Sequence, residues 1–209
     1  CYSGTQKCLG VPPGLAPVTF SERAVARIGD RESPPQSWYL DLGLIGSYVG
    51  AERRYHHTAP ISMVYALHAG LDVLLDEGLE ASWDRHASVG AELHAALEDR
   101  GFGLIAQEGH RLPQLTAVSL PDGLDEATLR RALLHDFDIE VGAGLGDFAG
   151  RAWRIGLMGE SCRQAHVLTL LNALEEIFAG QGRLTQPGRA VQAATETYTH
   201  SLGSARRGA

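Results

Sequence analysis

Lysine is nearly absent. The 209 residues hold 17 Arg and a single Lys, Lys7, and one Asn, Asn172. Biased codon usage explains why Arg replaced Lys, but not why one Lys survived. Arg does not deprotonate in proteins, so a neutral amine nucleophile must be Lys. The three cysteines (Cys1, Cys8, Cys162) are an odd set without a C-x-x-C pair, which excludes a disulfide scaffold and suits reduced thiols in a cytoplasmic protein. No apolar run reaches 18 residues, so no transmembrane helix is expected. The opening CYSGTQKCLG lacks an initiator Met and the charged-then-apolar pattern of a secretory signal, and nothing before Cys1 can be read. No internal repeat stands out.

What is present bounds the fold. A chain of this length makes one large domain or two small ones and can bury roughly 70% of its unfolded surface. The formal charge is −7, split into −10 over residues 1–182 and +3 over 183–209, where Arg183, Arg189, Arg206 and Arg207 face Glu196 alone. An acidic body is a poor match for nucleic acid, which needs clustered Lys and Arg. The thin basic end lies in Gly/Ser/Ala/Thr-rich sequence and reads as a disordered tail over 181–209.

Periodicity orders the rest. VPPG at 11–14 marks a rigid turn, LAPVTF at 15–20 a short strand, and Ser21 an N-cap for a helix ending at Gly29. Residues 38–50 mix aromatics and glycines without clear period. After Pro60, the apolar positions Ile61, Val64, Leu67, Leu71 and Leu74/Leu75 predict an amphipathic helix. Gly78 breaks it, a helix over 79–100 follows, and a domain boundary is expected there. Beyond it the pattern predicts a strand at 114–120, a helix 126–136 capped by Asp125, strands at 137–142 and 152–157, and a helix at 163–179. That order describes an α/β layer with helices on one face. The divisions expected are therefore 1–78, 79–180 and 181–209.

Four places could carry chemistry. Lys7, after Ser3-Gly4-Thr5-Gln6 and before a Gly/Pro turn, can project into a cleft as a Schiff-base amine; spacing alone favours an exposed loop lysine over that reading. Tyr55-His56-His57-Thr58 offers hydroxyl donors just before a helix N-terminus, a setting for an anion, or else a capping Thr58 among packed aromatics. A metal is not expected there, because neighbouring histidines rarely share one ion and no third ligand stands at helical spacing. Gly142-Ala143-Gly144-Leu145-Gly146 is similar to a dinucleotide fingerprint, but a strand follows where a helix is required, so a flexible hairpin is expected. Arg154, inside the apolar run WRIGL, must either pair within the protein or grip a carboxylate in a cleft.

Together YSGTQKCLGVPPG, YHHT and GAGLG…WRIGLMG resemble the class V pyridoxal-phosphate (PLP) aminotransferases, closest to the alanine–glyoxylate / serine–pyruvate branch, over residues 1 to about 180. The resemblance implies the α/β fold of PLP-dependent transferases of fold type I: 1–78 as the rear of the large domain, 79–180 as the small C-terminal domain. It implies Lys7 as the Schiff-base lysine, Gln6 at the cofactor phosphate, and Tyr55 and Thr58 reaching the phosphate of the other subunit of a homodimer. It also implies Arg154 at the substrate carboxylate, with amino acid and keto acid as substrates and no nucleic acid or membrane partner. The family's glycine-rich phosphate loop, its ring-stacking aromatic and the Asp that pairs with the pyridine nitrogen match nothing in this chain, which therefore corresponds to the C-terminal part of such an enzyme. Two alternatives stand beside this reading. One is a non-catalytic piece serving as small domain and dimerisation surface. The other is a cysteine desulfurase, which would need a nucleophilic Cys upstream of Arg154, where none occurs.

Overall fold

The computed structural model describes residues 1–183, 186, 188, 189, 191, 192 and 194–196. Two compact units result: Cys1–Lys7 with Val11–Leu71, and Cys8–Gly10 with the chain from Asp72 onward. The division falls at Leu71/Asp72, inside a helix, and not at Gly78 where the helix break suggested it.

The first unit is built from helices and turns. α1 (Glu22–Gly29) starts as expected at Ser21, whose hydroxyl accepts from Ala24 N. The stretch without clear period forms a 3-10 turn at Trp38–Leu40 and α2 (Leu42–Val49), capped by Asp41, whose carboxylate accepts from Gly43 N and Leu44 N. That cap was the available signal. α3 (Ile61–Glu77) follows Pro60. The strand expected at 15–20 reduces to a single antiparallel bridge, Tyr2 with Val18. Pro17 accepts from Ser3 N through its carbonyl but has no N–H to extend the ladder. The apolar stripe of α3 does form, yet none of its side chains is buried and Ile61 is 62% exposed. Within this unit only Thr5 and His56 are buried polar residues.

The second unit has the core. α4 (Leu79–Asp99) begins after Gly78, which takes φ +88, a conformation open to glycine. A four-stranded antiparallel sheet in the order β1-β2-β4-β3 is made of β1 (Gly103–Leu104), β2 (Leu115–Ser119), β3 (Gly142–Ala143) and β4 (Ala152–Gly156). α5 (Glu126–Phe137) and α6 (Gln164–Gly180) complete it. Asp125 caps α5 as expected, accepting from Thr128 N at 2.8 Å, and that bond holds its carboxyl below the usual range. The strand expected at 137–142 shrinks to β3, because α5 takes Phe137 and Asp138 ends it in the left-handed region, φ 55.

Alternation along β2 and β4 gives the sheet two different faces. Val118 pairs with Trp153 and Thr116 with Ile155, all buried. Val118, Trp153 and Ile155 join Leu93 and Leu97 of α4, Leu129 and Leu133 of α5 and Leu171 and Leu174 of α6 in one cluster. Trp153 anchors it: wholly buried, it packs at a tilt against Phe102 with ring centroids 5.7 Å apart and donates its indole N–H to Glu126 at 3.1 Å. Burying such a ring contributes on the order of 2–3 kcal/mol, and the indole bond removes the cost of an orphaned donor. The opposite face carries Ala117 and Arg154.

The disordered tail expected from 181 lies largely outside the described residues. Those that are described are anchored: Arg183 donates to the carbonyls of Asp122 and Gly123, Gly188 N to Glu175, Arg189 to Asp99, and Ala194 is buried. Hydrophobic periodicity missed them because polar contacts hold most of them. No helix among the described residues is long and apolar enough to cross a membrane.

Candidate functional site

Lys7 closes a tight turn in the first unit, its N–H donating to Gly4 O at 3.2 Å. Thr5 fixes that turn. Wholly buried, it donates its hydroxyl to Pro12 O at 3.0 Å, while its carbonyl accepts from Val11 N at 3.2 Å. The VPPG turn thus serves as the wall against which the lysine turn is tied. Gln6 and Lys7 remain exposed above it. The sequence marked the lysine but not Thr5, whose role depends on meeting Pro12.

Tyr55 and Thr58 are brought together, with their hydroxyls 3.0 Å apart and both residues exposed. Thr58 caps no helix amide among the described bonds, so the capping alternative fails. The segment is pinned by the histidines between them. His56 is buried, stacks on Trp38 at 4.1 Å and bonds Trp38 O at 3.1 Å, and its Nδ1 lies 2.8 Å from Nδ1 of His57. Tyr48 packs edge-on against Tyr55. Beside them an open depression is lined by Tyr48, Val49, Gly50, Ala51, Arg53 and Ala59. The histidines therefore act as scaffold, and no group of three or more potential metal ligands occurs among the described residues. No hydrogen bond among those residues joins the Lys7 turn to Tyr55 or Thr58.

In the second unit Arg154 stands exposed on the open face of β4. Its Nε donates to Ala143 O at 2.8 Å, which fixes the guanidinium plane, and no carboxylate among the described residues pairs with it. The structural ion pair weighed for it is therefore absent there. Gly142, opposite Arg154 in the register, makes room: a Cβ on it would lie 3.2 Å from Nη2. The glycine run lies in a hairpin as expected, β3 pairing antiparallel with β4. Gly144 N donates to Ala152 O at 2.8 Å, and any side chain on Gly144 would collide with the Phe148 carbonyl. The rejected dinucleotide reading stays rejected, since the connection between β3 and β4 holds a three-residue 3-10 turn and no α-helix.

The remaining chemistry-bearing groups serve other ends. Cys162 is buried, and burial pushes its thiol up against the partial opposition of Arg85. That is the wrong direction for a nucleophile. The other two thiols are free and exposed.

The donors fit a phosphorylated carbonyl cofactor in kind: an exposed amine on a fixed turn, an amide beside it, a pair of adjacent hydroxyls, and a guanidinium with open valence. The amine suits an aldehyde, the amide and the hydroxyls a phosphate, and the guanidinium a carboxylate.

Comparison with known proteins follows the same lines. No family model matches the chain. It is 37% identical over 216 residues to the (S)-ureidoglycine–glyoxylate transaminase of Bacillus subtilis, covering 95% of this chain and 52% of that one. To the alanine–glyoxylate aminotransferase of Callithrix jacchus it is 38% identical over 179 residues, 84% of this chain and 43% of the other. Among solved structures, alanine–glyoxylate aminotransferase from Nostoc sp. matches at a TM-score of 0.82 and 46% identity, over 85% of this chain and 47% of that one. Pyridoxamine–pyruvate aminotransferase from Mesorhizobium loti matches at 0.87 and 31%, over 95% and 51%. The chain spans about half the length of these relatives, and its fold is the fold type I expected from the resemblance.

Proposed function

The chain being homologous to the class V PLP-dependent aminotransferases over about half of their length, we propose that this protein is a PLP-dependent aminotransferase. In this reading it moves an amino group from a small amino acid of the alanine or serine type to a keto acid of the glyoxylate or pyruvate type. The observation that carries the proposal is Lys7. It is the one lysine of the chain, in the matching motif, exposed on a turn tied down by buried Thr5.

PLP, when bound, supplies an aldehyde that condenses with amines and a ring that takes up electrons released at the substrate α-carbon. The chain's own residues would do the rest. Lys7 holds the cofactor, and its amine, once displaced by the substrate's, carries the α-proton as general base and then general acid. The Gln6 amide donates to the phosphate. Tyr55 and Thr58, exposed and paired, present their hydroxyls to the phosphate of the second subunit of a homodimer. Arg154, fixed by Ala143 and free of internal carboxylates among the described residues, grips the substrate carboxylate with a bidentate fork. Three unpaired thiols suit a cytoplasmic setting.

The test is chemical. Borohydride added to the holoenzyme should fix the cofactor on the Lys7 peptide, and Lys7→Arg should abolish transamination. A guanidinium can neither condense with the aldehyde nor shuttle the proton. Reduced cofactor absent from the Lys7 peptide, or activity retained in the variant, would sink the assignment.

A further inference from the structure

The turn after β4 is gripped from one side and occupied on the other. Gly159 is buried at the start of a 3-10 turn, Gly159–Ser161. Its N–H donates to Nε2 of His86 at 3.2 Å, and its carbonyl accepts from Nη1 of Arg85 at 3.0 Å. The same Arg85 nitrogen donates to Cys162 O at 2.8 Å, so both ends of the turn hang on one guanidinium. The two side chains are themselves fixed. Glu77 takes Nε and Nη2 of Arg85 at 2.5 and 2.8 Å, and this pair holds the Glu77 carboxyl below its usual range. His86 is buried and lies 2.6 Å through Nδ1 from Ser82 O. Geometry thus sets its tautomer: Nδ1 donates to the carbonyl, leaving Nε2 bare to accept from Gly159.

The far side of the turn is packed by backbone. A Cβ on Gly159 would lie 2.9 Å from the Cys8 carbonyl oxygen, 3.2 Å from Gly10 Cα and 3.3 Å from Gly10 N. Gly159 also takes φ +57, where a side chain adds strain. Two main chains meet here with no room for a methyl group, and Cys8 is the residue that follows Lys7.

We propose that Arg85 and His86 are positioning residues: by fixing both polar groups of Gly159 they set the seat for the Cys8–Gly10 backbone, and through it the placement of the Lys7 amine. This rests on the reading of Lys7 as the cofactor-bearing lysine. Neither residue touches the reacting atoms. Their effect on the reaction passes through the peptide next to Lys7, where small misplacements are costly.

Three variants separate this role from simple stability. His86→Leu removes the acceptor and leaves the Gly159 N–H buried without a partner. His86→Gln restores an acceptor at about the position of Nε2. Gly159→Ala keeps both gripping side chains and pushes on Cys8 directly. Two readouts are needed: the acylation rate of Lys7 in cofactor-free protein, resolved by peptide mapping, and the separate kcat and KM of the holoenzyme. His86→Leu and Gly159→Ala should each change Lys7 acylation by about threefold or more and lower kcat about 10- to 100-fold with KM nearly constant. His86→Gln should recover most of both. If the variants lose only thermal stability, with acylation and kcat within about twofold of the parent, the role is structural and the proposal falls. Should His86→Leu not fold, Gly159→Ala and Arg85→Lys, which keeps charge but loses the fork, decide by the same readouts. The outcome is separable from the proposed function: failure of borohydride to fix the cofactor on the Lys7 peptide would refute that reading, while the acylation comparison still judges the placement of Lys7.

Discussion

Glu92 lies in the middle of α4 with no exposed surface, and neither carboxylate oxygen makes a hydrogen bond of good geometry among the described residues. Burial pushes its carboxyl up from 4.5 to about 7, and the Gln164 amide at the start of α6 opposes only part of that rise. The folded state therefore binds this proton more tightly than the unfolded chain does. The contribution is full below about pH 4.5, is lost as pH rises through about 7, and stays low beyond it. At roughly 1.4 kcal/mol per pH unit, the span is worth on the order of 3 kcal/mol. Glu92→Gln keeps the shape and cannot ionise. Urea unfolding followed by circular dichroism at about pH 5 and pH 8 should show the variant close to the parent at the lower pH and about 2–3 kcal/mol more stable at the higher one, with similar denaturant slopes. Carboxylates shifted the other way, Glu77 by Arg85 and Asp125 by Thr128, respond alike in both proteins and cancel in the difference. A variant-minus-parent difference that does not change with pH would refute the reasoning.

Two further outcomes follow from packing and charge. Arg154→Lys keeps a cation but loses the fork and the Nε bond to Ala143, so the KM for amino acids should rise strongly, in line with roughly 2–5 kcal/mol of lost binding, while the melting temperature hardly moves. A destabilised enzyme with normal KM would place the carboxylate site elsewhere. Gly90→Ala should gain up to about 1 kcal/mol of helix propensity, yet its Cβ would sit 2.8 Å from both Cα and Cβ of Pro113, a contact whose relief costs roughly 1–3 kcal/mol. An unchanged or raised melting temperature would show that the Pro113 segment yields freely.

How much the sequence disclosed depended on the range of the physics involved. Caps are local, so Ser21, Asp125 and the Gly78 break could be read directly. Buried alternation in β2 and β4 was legible because each strand has one covered face. The short strands were not. Pro17 and the left-handed Asp138 are local features, but whether they prevent a strand is decided by what the chain meets across the gap. The apolar stripe of α3 was misleading for the converse reason: a 3.6-residue stripe says that a helix has an apolar side, not that anything in the same unit covers it.

The same distinction runs through the candidate site. Lys7 and Arg154 stood out because each is chemically out of place, an amine where Arg has replaced every other Lys and a charge within an apolar strand. Thr5, Gly142, Arg85, His86 and Gly159 gave no such sign. A buried threonine, a glycine opposite an arginine, or a histidine accepting from a backbone amide is ordinary in composition and acquires meaning only from its contact. The partners lie far apart in the chain, Arg85 with Cys162 and His86 with Gly159, so no window of sequence contains both. Residues that perform chemistry are rare types in unusual surroundings and can be found by reading. Residues that hold them in place are common types whose partners the fold supplies, and for this protein those are the positions where substitution will test the proposed reaction most sharply.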